Sequence, residues 1–286
     1  MGATKHVVGF SGGIDSQAVA RWVLNRNDSA DVVLLNSDAG GNEHPMTTEF
    51  IGWYSDNVHP VQVVSPIVAD MGSRGSRPGA TRDRRQRYSE TDALTFDRLA
   101  EIKGIFPSRK MQFCTEYLKL APAKRWQDEH LADCEVIRYS GVRREESQAR
   151  RDAQARGYDD YFNCELVQPI VDWTKQMCFD YVQAHGEQVN PLYTLGFNRV
   201  GCAPCVNSSK NDIRQWATRF PEMIDKVDEW EQRTGLTFFR MPREDGTLRF
   251  VRDVVRWSMT RRGGVQYDLL VLDGPPACES RYGLCE

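Results

Sequence analysis

The sequence is short of several things that would assign it quickly. None of its apolar runs is long enough to cross a bilayer, which excludes an ordinary helical membrane protein. Neither charge dominates: 37 Lys and Arg stand against 40 Asp and Glu, a formal net charge of −3. The global field therefore steers the chain neither to nucleic acid nor to acidic lipid, and any basic site must be local. Met1 to His6 lack the apolar stretch of a secretory leader, and His6 stands where a myristoylation signal wants Ser or Thr. No internal repeat and no heptad pattern is present, which excludes solenoids and coiled coils. The location expected from these absences is the cytoplasm, with no membrane partner. In that reducing compartment the 8 cysteines read as thiols, metal ligands or redox groups rather than disulfides.

What is present suits a folded α/β chain. Apolar residues make up 40% and charged residues 27% of the 286, enough to bury a core. Strand-like runs at Lys5–Phe10, Asp31–Asn36, Val61–Val64 and Glu135–Tyr139 alternate with helical spacing at Asp15–Leu24, Thr47–Asn57, Asp92–Lys103 and Glu116–His130. That alternation predicts a parallel sheet with helices on its faces. Residues 72–90 are rich in Arg, Gly and Ser without an apolar period, which predicts a surface loop. Further on, the pattern predicts a helix over Thr174–His185 with Thr174 as its cap, an irregular Gly/Pro stretch over Asn190–Cys205, and helices over Lys210–Arg219 and Pro221–Arg233. A strand pair (Thr237–Arg240, Thr247–Val251), a short helix and a Pro/Gly-rich tail complete it.

Five features carry chemistry. Ser11-Gly12-Gly13-Ile14-Asp15-Ser16 lies between a strand and a helix. Adjacent glycines let the backbone approach an anion, and the helix N-terminus favours it. No Gly-Lys-Ser/Thr follows, so this is not a Walker A loop. Asn36–Pro45, with Asp38, Glu43 and His44, follows the second strand, at the edge where ligands of open sheets collect; alone it is an ordinary polar loop. Gly141–Arg150 brings three arginines within eight residues, a fork for phosphate or sulfate oxygens or else a solvated helix start. Cys202-Ala203-Pro204-Cys205 in an irregular loop and Cys114 at a helix start suit zinc, a redox dithiol or iron–sulfur equally well. Arg74, Arg77, Arg82, Arg84, Arg85 and Arg87 form either a solvated loop or a clamp on DNA or RNA phosphates.

Taken in order, these strings resemble the phosphoadenosine phosphosulfate (PAPS) reductase family of the PP-loop, or adenine nucleotide α-hydrolase-like, superfamily. The Ser11–Ser16 string is similar to the SGGxDS signature. Asp38–Pro45 resembles the family's Asp-Thr/Ser-Gly segment with Ala39 inserted, and Gly141–Arg150 resembles Gly-x-Arg-Arg-x-Gln/Glu-Ser-x-x-Arg. The resemblance spans residue 5 to about 215. It implies a parallel five-stranded sheet with an adenine nucleotide, either ATP or PAPS/APS with Mg2+ as an optional companion, at the carboxyl edge. Its nucleotide residues are Ser11, Gly12, Gly13, Asp15, Ser16, Asp38, Gly141, Arg143, Arg144, Ser147 and Arg150, with Arg143 and Arg150 also catalytic. Cluster-bearing members carry a Cys-Cys pair where Cys114 stands, and a C-x-x-C after a segment like Asn190–Phe197. The resemblance therefore implies a [4Fe–4S] cluster on Cys114, Cys202 and Cys205. Phe113 and Thr115 flank Cys114, so the fourth ligand is missing there. Cys285 near the end is the candidate for that ligand or for the family's tail nucleophile, with Cys278 behind it. Cys134, Cys164 and Cys178 sit in apolar surroundings and read as inert core thiols.

The expected organisation is a nucleotide-binding domain over 1–215, with the 72–90 insertion, and a helical and hairpin extension with a cysteine tail over 216–286. Two activities compete. One is sulfonucleotide reduction, served by a thiol reductant protein. The other resembles ATP-dependent sulfurtransferases of the DNA phosphorothioation type, served by a sulfur donor and acting on nucleic acid or a small molecule. A nucleotide sensor without turnover is a third reading, disfavoured by the intact phosphate loop. A homodimer is an open expectation.

Overall fold

The computed structural model describes residues 2–72 and 80–260; for residues 80–82 it describes the backbone alone. In chain order the main elements are β1 (Thr4–Gly9), α1 (Ile14–Leu24), β2 (Val32–Ser37), α2 (Pro45–Asn57), β3 (Val61–Val64), α3 (Ala80–Arg85) and α4 (Phe96–Lys103). A short turn α5 (Phe113–Thr115) runs through a π-helical turn, Glu116–Leu120, into α6 (Ala121–His130). Then come β4 (Glu135–Tyr139), β5 (Arg156–Asp159), β6 (Cys164–Val167), α7 (Lys175–Ala184), α8 (Pro191–Thr194), α9 (Lys210–Arg219), α10 (Pro221–Thr234), β7 (Met241–Pro242), β8 (Leu248–Arg249) and α11 (Val251–Ser258).

The sheet has six strands in the order β3-β2-β1-β4-β6-β5. Five are parallel, and β5 runs antiparallel to β6 at the edge. The expected five-stranded parallel sheet is therefore corrected by one antiparallel edge strand. β5 (RGYD) carries a glycine and exposes three of its four residues, so it has no apolar run to announce it.

The central strands alternate between two buried faces, the habit of parallel sheets covered by helices on both sides. Val8 and Leu34 pack with Ala18, Val19 and Val23 of α1, Phe50 and Tyr54 of α2, and Cys178 and Val182 of α7. Val7, Leu35 and Val64 face the other way, onto Leu120, Ala123 and Leu131 around α6. Each of the Val, Leu and Phe side chains among these stabilises by about 1.5–3 kcal/mol when fully buried. A third cluster joins Leu99, Ile102 and Phe106 to Trp216, Ile224, Val227, Phe238 and Val251, so α9, α10 and α11 pack on the α4 region.

Chain order places the ligand edge. From β1 the sheet grows through β2 and β3 on one side and through β4 and β6 on the other. Where strand order reverses, the carboxyl ends diverge and leave a crevice. The loops after β1, β2 and β4 all open there. Thr174 caps α7 as expected, its hydroxyl accepting from the Met177 N–H at 3.1 Å. Residues 72–90 are not all loop: α3 lies within them, and Arg84 donates to the Ile102 carbonyl at 3.0 Å. Arg85 donates to the Gly72 carbonyl at 2.5 Å and pairs with Glu90. The expected hairpin is displaced to β7 and β8, two residues each, next to a turn in which Asp245 accepts from the Thr247 N–H and hydroxyl.

Candidate functional site

The phosphate loop forms because β1 ends into two glycines at the start of α1. Gly12 has φ +75°, and a Cβ there would lie 3.2 Å from Ile51 and 3.3 Å from Thr47 of α2, so both conformation and space require glycine. Gly13 is the N-cap of α1 and offers no side chain to cover the helix end. Ser16 closes the turn: its hydroxyl donates to the Gly13 carbonyl at 2.9 Å, and the Ser11 N–H donates back to it at 3.2 Å. An open helix N-terminus of this kind attracts an anion.

The loop is held from a distant segment that sequence reasoning valued only as a landmark before the C-x-x-C. Asn190 donates to the Gly12 carbonyl at 3.3 Å and to the Thr47 hydroxyl at 3.2 Å. The Ile14 N–H donates to the Tyr193 hydroxyl at 3.0 Å. Behind them Glu187 accepts from Gln17 at 2.9 Å and pairs with Arg21.

The loop after β4 comes against the start of α1. Gly141 lies so close that a Cβ would be 3.0 Å from the Asp15 carbonyl carbon. Asp15 is 2% exposed and Arg143 5%, and Arg143 Nε donates to Asp15 Oδ2 at 2.7 Å. The other oxygen, Asp15 Oδ1, is buried without a hydrogen-bond partner. Arg143 thus stands at the phosphate loop, anchored by a carboxylate. Arg150 is buried and paired with Glu146. Arg144 ties this loop to its neighbours through the Ala153 carbonyl and Asp172. The Ser147 hydroxyl is also buried without a hydrogen-bond partner. Asp38 accepts from the Gly41 N–H at 2.9 Å and from Ser65 at 3.5 Å, shaping the loop after β2. His44 is structural: it caps α2, accepting from the Met46 N–H at 3.2 Å, and packs on Trp216 and Phe220.

The cysteines of widely separated segments come within electrostatic reach of one another. Burial first, then the charges of Cys202 and Cys205, push the Cys114 thiol up to about 12. Burial likewise raises Cys202, against the pull of Lys119. Lys119 is 8% exposed and feels Cys202, Glu43, Cys114 and Cys205, which together hold its ammonium charged despite burial. Burial pushes the Glu43 carboxyl up to about 7. The cysteine loop is strapped to the loop after β2: the Ala203 N–H donates to the Asn42 carbonyl at 2.8 Å and the Asn42 amide donates to the Pro204 carbonyl at 3.2 Å. Glu43 and Cys202 form an antiparallel bridge. A third link runs from the Ser37 hydroxyl to the Lys119 carbonyl, 2.8 Å. The thiol site and the nucleotide edge therefore share one loop.

Lys119 and Glu43 were not among the expected site residues. The signal for Lys119 is the π-helical turn that contains it, a device frequent at functional sites; that for Glu43 was only its place in the Asp38–Pro45 string. Among the described residues no group of three Cys, His, Asp or Glu side chains is drawn together tightly enough to hold a metal ion. Cys164 and Cys178 are buried in the core as expected, whereas Cys134 is half-buried at its margin. Arg74, Arg77, Cys278 and Cys285 lie outside the described residues, as does the side chain of Arg82. Among the described residues no helix is long and apolar enough to cross a membrane.

Comparison with known proteins adds the family. An uncharacterized 37.8 kDa protein in the gpa 5' region of Escherichia phage 186 is 30% identical, the match covering 99% of this chain and 97% of that protein. An adenosine 5'-phosphosulfate reductase of Geobacillus thermodenitrificans is 29% identical over 147 residues, which cover 43% of this chain and 63% of that enzyme. A crystal structure of phosphoadenylyl-sulfate (PAPS) reductase from Candida auris, a phosphate complex, aligns with 71% of this chain and 82% of its own at 14% identity and a TM-score of 0.44, too loose a likeness to carry an argument. The family model described as the phosphoadenosine phosphosulfate reductase domain matches residues 5–208, the stretch that holds the phosphate loop, the arginine loop and all three converging cysteines, and the chain belongs to that family.

Proposed function

We propose that this protein binds an adenine sulfonucleotide, PAPS or APS, on the Ser11–Ser16 loop and reduces it with the help of a [4Fe–4S] cluster on Cys114, Cys202 and Cys205. What supports the reading is that Cys114, Cys202 and Cys205 come within electrostatic reach of one another and of Lys119, with Cys202 bridged to the loop that leaves β2 at the nucleotide edge. Thiolates are the ligands of iron–sulfur clusters, and the positive charge of bound iron offsets the cost of three buried thiolates. If bound there, the cluster would be held by Cys114, Cys202 and Cys205, and its irons would supply the counter-charge that keeps three thiolates buried beside the sulfonucleotide.

The protein's own residues do the rest. Ser11, Gly12, Gly13, Asp15 and Ser16 shape the N-terminal anion site, and Asp38 and its neighbours wall the adenosine side. Arg143, with Gly141, Arg144, Ser147 and Arg150, brings fixed positive charge to the phosphates. The Cys285 thiolate attacks the sulfate sulfur. The S–S bond of an S-sulfocysteine forms, the S–O bond to the phosphate breaks, and the nucleoside phosphate leaves. A dithiol protein then supplies two electrons, becoming a disulfide and releasing sulfite with a restored Cys285 thiol.

The second reading is an ATP-dependent sulfurtransferase acting on nucleic acid or a small molecule, with Mg2+ on the phosphates. Cys114 standing alone, and the carboxylates that already hold Arg143 and Arg150, favour it over an open sulfate clamp. Protein purified without oxygen is assayed for iron and sulfide, then supplied with APS, PAPS or ATP and a dithiol protein. Sulfite from APS or PAPS is the expected result. Pyrophosphate from ATP with no sulfite selects the second reading. Stoichiometric zinc without sulfide removes the cluster from both.

A further inference from the structure

The two edges of the sheet are finished differently. β3 is flanked by prolines: Pro60 stands immediately before it and Pro66 two residues after it, the residue type that blunts an open edge. β5 carries no such device. No proline or lysine occurs between Arg151 and Gln168, and Gln154 to Tyr158 are exposed without interruption. Tyr158 is 60% exposed, a large aromatic ring on an outermost strand. The Gln168 N–H donates to the Ala155 carbonyl at 2.8 Å, which fixes the backbone groups that β6 takes up. Gly157 and Asp159, in step with Ala155, turn their N–H and C=O groups toward β6. Arg156 and Tyr158 turn theirs outward and have no strand partner among the described residues.

This outward row is self-complementary. Arg156 and Tyr158 share one face, and Asp160, also exposed, continues the alternation where the turn to β6 begins. When the strand meets a copy of itself about a two-fold axis through Tyr158, the two tyrosines stand opposite each other and exchange both backbone bonds. Arg156 then stands opposite the partner's Asp160, once on each side of the axis. Registers centred on Arg156 or Asp160 set like charges opposite each other, and those centred on Gly157 or Asp159 leave Arg156 without a carboxylate. Arg156 already holds Glu165 of β6 at 2.9 Å, but its side chain is 74% exposed and has further donors to offer outward.

We propose that β5 is a dimerisation strand whose partner is a second copy of this chain, paired antiparallel about Tyr158, so that the six-stranded sheet continues from one copy into the other. The two-fold axis turns one copy end over end, and the two nucleotide edges open at opposite ends of the joined sheet. β4 and β6 separate β1 and its phosphate loop from the axis, so each phosphate loop is formed within its own copy. One short strand buries less than the roughly 1,200 Å² of a standard interface, which makes this a weak dimer in exchange with monomer.

Sedimentation velocity of the full-length protein across the micromolar range tests it, and wild type should shift from monomer to dimer. Arg156→Asp and Asp160→Arg each set like charges opposite each other at both ends, and each should raise the dissociation constant about 10-fold. An equimolar mixture of the two variants should recover the dimer, because every arginine at the interface then meets an aspartate of the other copy. A variant that merely unfolds β5 could not be rescued in this way. Tyr158→Pro deletes an outward N–H and spares the bonds to β6, an edge position where proline is tolerated; it should be monomeric and, by circular dichroism, folded. Amide exchange reads the strand residue by residue. The Arg156 and Tyr158 amides should slow as concentration rises, whereas those of Gly157 and Asp159, turned toward β6, should not respond. A wild type that stays monomeric throughout overturns the proposal and leaves this edge to a strand of some other protein. A dimer indifferent to all three variants lies on another face and overturns it equally. Failure of the mixed variants to recover removes the register about Tyr158.

Discussion

The phosphate loop and the thiol site lie on one edge of the same sheet but are built in opposite ways. The first is nearly contiguous: Ser11 to Ser16 supply the turn, the anion-facing backbone and the closing hydroxyl. The second is assembled from Glu43, Cys114, Lys119, Cys202 and Cys205, which meet only because the β2 loop, the π-helical turn and the cysteine loop pack together. A contiguous site is specified by its own turn chemistry, whereas an assembled one is specified by the straps that hold its pieces. The contiguous site is not self-sufficient, however. Asn190, Tyr193 and Arg143 grip it from far along the chain.

The largest effect expected is where that independence fails. Arg143→Ala leaves Asp15 buried with both carboxylate oxygens unpartnered. Removing one member of a buried pair costs about 3–5 kcal/mol, and for a chain of this size each kcal/mol lowers the melting midpoint by roughly 2–4 °C. Thermal unfolding should show a fall on the order of 10 °C. Loss of nucleotide binding with an unchanged midpoint would mean that Arg143 serves the ligand alone and that the loop stands by itself.

The same contrast governs what was legible in the sequence. β1 and β2 were readable because VVG and VVLL are buried on both faces, and α1 because Ala18, Val19 and Val23 recur at helical spacing. The phosphate loop was readable because its chemistry is written in adjacent letters. β5 and β6 were not: RGYD and CELV are four residues each, with charged and exposed positions, and they become strands by pairing with each other and with β4. Nor could the arginines of the insertion be sorted. Arg84 and Arg85 are spent on carbonyls and on Glu90, and only packing against α4 reveals that. The three cysteines were marked by type, but Lys119 and Glu43 are ordinary polar letters whose partners lie far away in sequence.

A buried carboxylate in the C-terminal helices tests whether that region behaves as part of the assembled half. Glu231 is wholly buried and accepts from the Phe238 and Val251 N–H groups at 2.6 Å each, tying α10 to the start of α11. Burial pushes its carboxyl up to about 7 from an ordinary 4.5. The folded state therefore binds more protons than the unfolded one between these values, so stability falls as pH rises from 4.5 to about 7 and is level above. Melting midpoints across that window should decline in wild type. In Glu231→Gln that decline should shrink to the part that Glu43, also pushed up to about 7 by burial, contributes, with a neutral-pH cost of about 1–3 kcal/mol because one N–H then faces an amide donor. A wild-type profile flat from pH 4.5 to 7 would show that the two N–H groups keep the carboxylate charged throughout.

The strap itself comes next. Asn42→Ala removes the bond to the Pro204 carbonyl and should cost about 1–2 kcal/mol in thermal unfolding of metal-free protein. Its sharper readout is local. Iron uptake at the cysteines should weaken more than nucleotide binding, because the phosphate loop does not depend on Asn42. Equal losses in both would mean that the two sites are one unit and that the contrast between them is false.

Tyr193→Phe has the smallest expected effect and divides the two kinds of site most finely. The Tyr193 hydroxyl accepts from the Ile14 N–H at 3.0 Å, occupying one of the donors at the start of α1. The ring packs against Phe179, which holds it in place whether or not the hydroxyl is there. Phenylalanine therefore deletes one hydrogen bond with little change in packing, worth about 0.5–1.5 kcal/mol. Two outcomes with opposite signs follow from the geometry. If Tyr193 only braces the loop, nucleotide affinity should fall several-fold, in step with stability. If the hydroxyl competes with phosphate for the Ile14 N–H, Tyr193→Phe frees a donor for the ligand, and affinity should rise while stability falls. Asn190 already fixes the Gly12 carbonyl, so bracing is shared and the competing role is the one left to the hydroxyl. The expected result of calorimetry with ATP and APS is thus a modest gain in affinity on a slightly less stable protein. Parallel losses would return Tyr193 to the brace.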